Sequence, residues 1–228
     1  MSLANWFKWL FKKEEVRLPD GKVHESMPPN SPVVEVPPIP QHEKMPWQDK
    51  YQHLDPTHIV PRQALQLALN YFDEHQSVFP NKKYISVVDY NQHCSKKRFY
   101  IIDMKTGQVE NHCVAHGKYS DPDNDGYCTS FSNVPGSNQS SLGLVKTGEI
   151  YSGNHSHSMR LDGLSKTNSN MRARYVVLHE CSYVNDGAAH NGRSEGCLAV
   201  DDKYSRSIVD KLANGSLILL WHNSFKAV

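Results

Sequence analysis

From residue 84 onward, apolar and β-branched positions come in short runs separated by polar or Gly-containing breaks. Tyr84–Asp89 (YISVVD) and Arg98–Asp103 (RFYIID) read as strands, with Thr106-Gly107 as the turn after the second. Gln108 to His116 returns as a third. Leu142–Lys146 and Glu149–Ser152 flank Thr147-Gly148, a pattern that predicts a hairpin. Tyr175–His179 and Leu217–Trp221 are continuous apolar runs, expected of central strands. Helical spacing is confined to two places. Ala64, Leu65, Leu67, Ala68, Leu69, Tyr71 and Phe72 follow Pro61, which suits a first turn, and Pro80-Asn81 end that region. Asp202–Ala213 predicts a second helix before the last strand. Many strands and few helices predict a mainly β domain, a sandwich or barrel, with the earlier helix as an N-terminal brace. No internal repeat is visible.

The chain ahead of these elements changes character. Residues 1–13 (MSLANWFKWLFKK) mix Trp6, Phe7, Trp9, Leu10 and Phe11 with Lys8, Lys12 and Lys13. The apolar stretch is too short for a secretory signal and no small-residue cleavage site follows it. It reads equally as an amphipathic helix touching a membrane surface and as a tail. Seven of the 13 prolines fall between Pro28 and Pro46, so residues 14–48 read as an extended linker. The expected organisation is therefore 1–13 amphipathic segment, 14–48 linker, 49–83 helical brace and 84–228 catalytic domain.

Composition narrows the function classes. With 38% apolar residues the chain can bury a sizeable core. Lys+Arg 25 against Asp+Glu 24 argues against a nucleic-acid binder, which shows a basic stripe. No apolar run approaches the ~20 residues of a membrane span.

The chemistry centres on His179, which closes an apolar run, and Cys197, eighteen positions later in Ser194-Glu195-Gly196-Cys197. Thiol catalysis needs a nucleophilic sulfur, a base in reach and donors for the oxyanion. Gly196 lets backbone amides approach a substrate carbonyl, and Arg193 adds charge that favours a thiolate. Read from the residues alone, a buried structural cysteine and an unrelated histidine explain the pair about as well.

These residues also resemble the signature of the L,D-transpeptidases: a histidine, a gap of about fourteen to seventeen residues, then Ser/Thr-x-Gly-Cys. The gap from His179 to Ser194 is fourteen. Further blocks resemble a Gram-negative branch of that family in the same order: Val114-Ala115-His116-Gly117, Phe131-Ser132-Asn133, Gly136-Ser137, Ser140-Ser141-Leu142-Gly143, Tyr151-Ser152-Gly153-Asn154-His155, Arg160-Leu161-Asp162-Gly163-Leu164, and residues 215–222. The likeness runs over residues 64–222. It implies an L,D-transpeptidase-like β-sandwich or barrel and a cysteine acyltransferase acting on peptidoglycan tetrapeptide stems. It implies that Cys197 attacks, His179 moves the proton, and amides around Gly196 hold the oxyanion. Arg193 and Ser194 shape the turn, and His116, Asn133, Ser141, His155 and Arg160 are substrate-cleft candidates. It implies no cofactor, a monomer, and a bacterial envelope location, the periplasm. Three residues depart from the branch: Glu180 for Gly, Glu195 for a bulky aromatic and Leu198 for Pro. Carboxylates beside Cys197 and His179 are expected to raise the thiol pKa and to stabilise imidazolium. An L,D-carboxypeptidase with water as acceptor, and a degenerate peptidoglycan-binding module, are the alternatives.

Two other clusters have ligand-like chemistry. His155, His157 and Asp162 resemble a zinc peptidase motif, but Gly153 stands where a Ser is expected. Lining the cleft is the favoured reading. Asp121-Pro122-Asp123-Asn124-Asp125-Gly126 starts like a calcium loop, yet Ser132 occupies the twelfth position, so an acidic surface turn is favoured. Five cysteines fit one free nucleophile with up to two disulfides, or five thiols.

Overall fold

The computed structural model describes residues 47–225. The amphipathic segment 1–13 and the linker up to residue 46 lie outside the described residues. The described elements are helix α1 (Trp47–Lys50), α2 (Arg62–Glu74), strands β1 (Tyr84–Asp89), β2 (Phe99–Asp103), β3 (Val109–His112), β4 (Gly143–Tyr151), β5 (Ser158–Gly163), β6 (Val177–Cys181) and β7 (Leu198–Asp201), then α3 (Asp202–Leu212) and β8 (Leu217–Trp221). Among the described residues, no helix is long and apolar enough to cross a membrane.

All eight strands form one sheet in the order β3-β2-β1-β8-β4-β5-β6-β7. Two pairs are parallel, β1 with β8 and β6 with β7. β8 (LILLW) is buried at every position between β1 and β4, as its unbroken apolar run predicts. Each such side chain contributes about 1.5–3 kcal/mol by leaving water. Helix α2 sends Ala64, Leu67, Ala68, Leu69, Tyr71 and Phe72 into the main core shared with β1 and β8, so the brace and the sheet are one hydrophobic body. Helix α3 is started by Asp201, whose carboxylate accepts from Lys203 N at 3.0 Å. It is stopped by Asn81, whose amide donates to the carbonyls of Lys211 and Ala213, both at 2.9 Å.

The sheet curls until its two edges meet. Beyond β3 the chain runs alongside β7: Ala115 N donates to Ala199 O, Ser194 N to His116 O and Lys118 N to Ser194 O, each at 2.8 Å. Cys113, Ala115, Cys181, Val184 and Ala199 fill this seam as a second, small core. The mainly β expectation holds, and of sandwich or barrel the chain adopts a nearly closed curled sheet.

Four strands differ from the sequence reading. Thr147-Gly148 makes no hairpin: β4 runs through it as a nine-residue strand with an irregularity between Thr147 and Ile150. The Thr147 hydroxyl accepts from Gly215 N and Ser216 N and donates to Leu212 O, tying β4 to the end of α3. The third strand stops at His112, because the chain then crosses to the β7 edge. β5 and β7 were not expected as strands.

Candidate active site

The Ser194–Cys197 turn is held by its own hydroxyl. Ser194 Oγ donates to Cys197 O at 2.8 Å and accepts Gly196 N–H at 3.1 Å. Gly196 has φ +117°, and a β-carbon there would lie 2.8 Å from Gln139 O and 3.4 Å from an Arg174 guanidinium nitrogen. Conformation and space therefore both require glycine. Its amide, engaged by Ser194, is not a free oxyanion donor, which corrects one expectation from the motif.

Cys197 is the one thiol of five that is partly exposed; Cys94, Cys113, Cys128 and Cys181 are buried, and all five are free. Burial pushes Cys113 and Cys181 up to about 11 and Cys128 to about 12. Burial also raises Cys197, and Glu195 adds to this, while the Val177 N–H and the Arg174 charge oppose it. The sulfur is thus a thiol at neutral pH, with Sγ 3.7 Å from Tyr175 O. Tyr175 has φ +55°, a left-handed conformation rare for an aromatic residue, directly ahead of β6.

His179 lies on β6 opposite Ala199 of β7, two residues beyond Cys197, so the His179 and Cys197 side chains stand one pleat repeat apart on neighbouring stretches of chain. No hydrogen bond joins them among the described residues. His179 Nδ1 is 2.7 Å from Glu180 O. A carbonyl only accepts, so Nδ1 carries the proton and Nε2 the lone pair. Burial lowers the His179 pKa below 6.5, outweighing the Glu180 contacts that raise it. The expected imidazolium is therefore replaced by a neutral imidazole. His155 stacks on it, with ring centroids 3.9 Å apart.

The cation near Cys197 is Arg174, which sequence reasoning missed. Arg174 donates to Ser132 O (2.7 Å), Ser141 Oγ (2.6 Å), Ser137 Oγ (3.1 Å) and Gln139 O (2.8 Å), holding the 132–141 loop over the turn. Arg193 instead donates to Lys118 O and Asp121 O, so it anchors the turn's approach, and the thiolate-favouring charge assigned to it belongs to Arg174. Asn133 ties the same loop to Lys166, Ser169 and Asn170. Ser141 is buried, bonded to Ser132 O and Arg174.

His116 is sealed rather than facing a cleft, with 1% of its surface exposed. Arg98, a pure donor, bonds Nδ1 at 2.8 Å, so Nε2–H donates to Asp121 at 3.1 Å. A buried guanidinium and a buried carboxylate are thereby bridged by a neutral imidazole. Burial first, then Arg98, drives its pKa down to about 3. Arg160 caps the Tyr151 ring at 4.0 Å and pairs across from Val177, beside the site.

His155, His157 and Asp162 diverge: His157 pairs with Asp210 and Asp162 with Arg172, so the zinc-like spacing builds no ligand set. In the 121–126 loop, Asp121 is buried rather than on the surface and accepts from Asp125 N and Gly126 N, and one carboxylate oxygen each of Asp121, Asp123 and Asp125 lies within 4.8 Å of the other two.

The family model for the L,D-transpeptidase catalytic domain matches residues 57–221. No curated protein matches the chain. Solved structures similar to it include an L,D-transpeptidase from Mycobacterium smegmatis, at 12% identity and TM-score 0.39 over 61% of this chain and 59% of that one. Another is Bd1075 of Bdellovibrio bacteriovorus, at 14% identity and TM-score 0.38 over 64% and 50%. A third is the helical cell shape determining protein Pgp2 from Campylobacter jejuni, at 9% and 0.37 over 66% and 52%. The chain thus matches 50–59% of the length of these structures.

Proposed function

Because the chain belongs to the L,D-transpeptidase catalytic-domain family, we propose that it is a cysteine acyltransferase of peptidoglycan stem peptides in the bacterial envelope. The observation that carries this reading is that the one partly exposed thiol, Cys197, lies one strand over from His179, whose Nδ1 holds the proton and so leaves Nε2 its lone pair. Sγ leaves Tyr175 O and attacks the carbonyl at the L-centre of diaminopimelate as His179 Nε2 accepts its proton. The Arg174 charge beside the sulfur offsets the tetrahedral oxyanion. His179 then protonates the departing D-alanine nitrogen, and a thioester remains. An amine of a second stem attacks it, its proton passes to His179, and return of that proton to sulfur restores the thiol. Neutral partners at both positions suit this cycle, since no ion pair need form before substrate arrives.

The test is incubation of the purified protein with tetrapeptide muropeptides, read by mass spectrometry beside Cys197→Ala. Cys197-dependent dimers that have lost D-alanine support the proposal. Tripeptide monomers alone replace transfer with hydrolysis. No turnover, and no mass adduct on Cys197 with a carbapenem, overturns the enzyme reading in favour of a binding module.

A further inference from the structure

Away from Cys197, three donor groups from two distant stretches of chain converge. His93 and Cys94 follow β1, and His190 lies on the loop leading to the Ser194 turn. One ligand atom from each, two imidazole nitrogens and Cys94 Sγ, lies within 4.8 Å of the other two. Two imidazoles and a thiolate are the donors of zinc and its borderline neighbours, not of calcium or magnesium. In a tetrahedral zinc site such atoms stand about 3.3–3.7 Å apart. His190 is exposed, and its Nε2 lies 3.4 Å from Asn124 Oδ1, a long contact that turning the ring toward the metal would give up.

The surroundings match what a metal thiolate needs. Asn191 N–H donates to Cys94 Sγ at 3.3 Å, and Asn191 Nδ2 donates to Cys94 O at 2.9 Å. An N–H aimed at sulfur offsets negative charge there, as outer donors do around metal-bound thiolates. His93 Nε2 stands 3.1 Å from Asp125 O, so Nε2 holds the proton and Nδ1 the lone pair. A ligating histidine typically has its other nitrogen tied to a carbonyl in this way. Ser95 N–H and Oγ now bond Nδ1 at 3.1 and 2.8 Å, a contact a metal would replace. Burial is graded from Cys94, fully buried, through His93 to His190 at the surface, which leaves a path in and a side open to solvent.

We propose that His93, Cys94 and His190 form a Zn²⁺ site with its fourth position open to solvent. On binding, Cys94 releases its proton to solvent and each neutral imidazole gives one lone pair. The ion ties the loop after β1 to the segment that carries the Ser194–Cys197 turn, and stabilises that segment from behind.

The test uses the full chain, stripped with chelator and then titrated with Zn²⁺ or Co²⁺. One equivalent retained after dialysis is expected in the wild type and in Cys197→Ser. With Co²⁺, a thiolate-to-metal charge-transfer band is expected in both and is lost in Cys94→Ser. His190→Gln, at an exposed position, is expected to weaken Zn²⁺ by at least about tenfold and to abolish the metal-dependent rise in Tm. Retention of full affinity in His190→Gln overturns the site. So does its loss in Cys197→Ser, which would place the ion at the acyl site, or a wild type that holds no metal.

Discussion

The imidazole of His155 lies flat on that of His179, ring centroids 3.9 Å apart and planes inclined by 22°. The stack fixes the His179 ring plane from the exposed side, while Glu180 O fixes it from Nδ1. A ring pair of this kind is worth about 0.5–1.5 kcal/mol, so His155→Ala is expected to slow Cys197 acylation by a carbapenem roughly 2- to 10-fold. His155→Phe keeps a ring but removes the neighbour whose charge lowers the His179 pKa. Its acid limb is expected to move to higher pH, measured as acylation rate against pH. In the wild type that limb lies below the ordinary histidine value of 6.5.

Arg174 and Glu195 act on the sulfur with opposite signs. Arg174→Gln is expected to raise the pH midpoint of Cys197 alkylation by iodoacetamide, and Glu195→Gln to lower it. The Glu195 effect is small and fades with salt, because that side chain is 76% exposed. The wild-type midpoint lies above 9.0. Arg174→Gln also leaves acceptors of the 132–141 loop without their donor, at a cost of about 1–3 kcal/mol visible in urea unfolding. Equal midpoints in all three proteins would remove Arg174 from the account of the thiol.

Gly196→Ala sets a methyl group against Gln139 O at 2.8 Å and forces φ +117° on a residue with a side chain. The backbone alone costs on the order of 1–3 kcal/mol. The expected result is a lower Tm with carbapenem adduct formation lost, seen by intact mass. Gly136, also at positive φ but with open space around it, serves as the control that keeps its adduct when changed to Asn.

The buried His116 makes the fold acid-sensitive. Its pKa falls from 6.5 to about 3 on folding, so below 6.5 the unfolded chain binds a proton that the folded chain refuses. Stability is therefore complete above pH 6.5 and declines as pH falls toward 3, by at most ~5 kcal/mol from this group. His179 and His222, also lowered by burial, act in the same direction. Urea midpoints measured from pH 7 to 4 are expected to fall in the wild type. His116→Gln is expected to be less stable at pH 7 but to show a shallower decline.

The elements that periodicity describes well are those whose burial is uniform. β1, β2, β8 and α2 each bury nearly a whole face or more, and their apolar spacing announces it. β5 (SMRLDG) alternates buried positions with the half-exposed Arg160 and Asp162, and its charges disguise a strand. β7 has four residues, too few for a period to register. Thr147-Gly148 has turn chemistry in sequence, but its hydroxyl is used by backbone from residues 212–216.

The same division runs through the site. Sequence alone determined the turn that presents the Cys197 thiol, because Ser194, Gly196 and Cys197 act on one another within four residues. It also determined that the chain would be mainly β, since burial of a segment is written in that segment's own spacing. Only the tertiary structure decided which cation stands by the sulfur, which ring lies on His179, and that His93 and Cys94 meet His190. Those neighbours depend on strand register and on the seam where Ala115 meets Ala199. Contacts across such distances in the chain arise from the closing of the sheet, and no local pattern encodes where its edges meet.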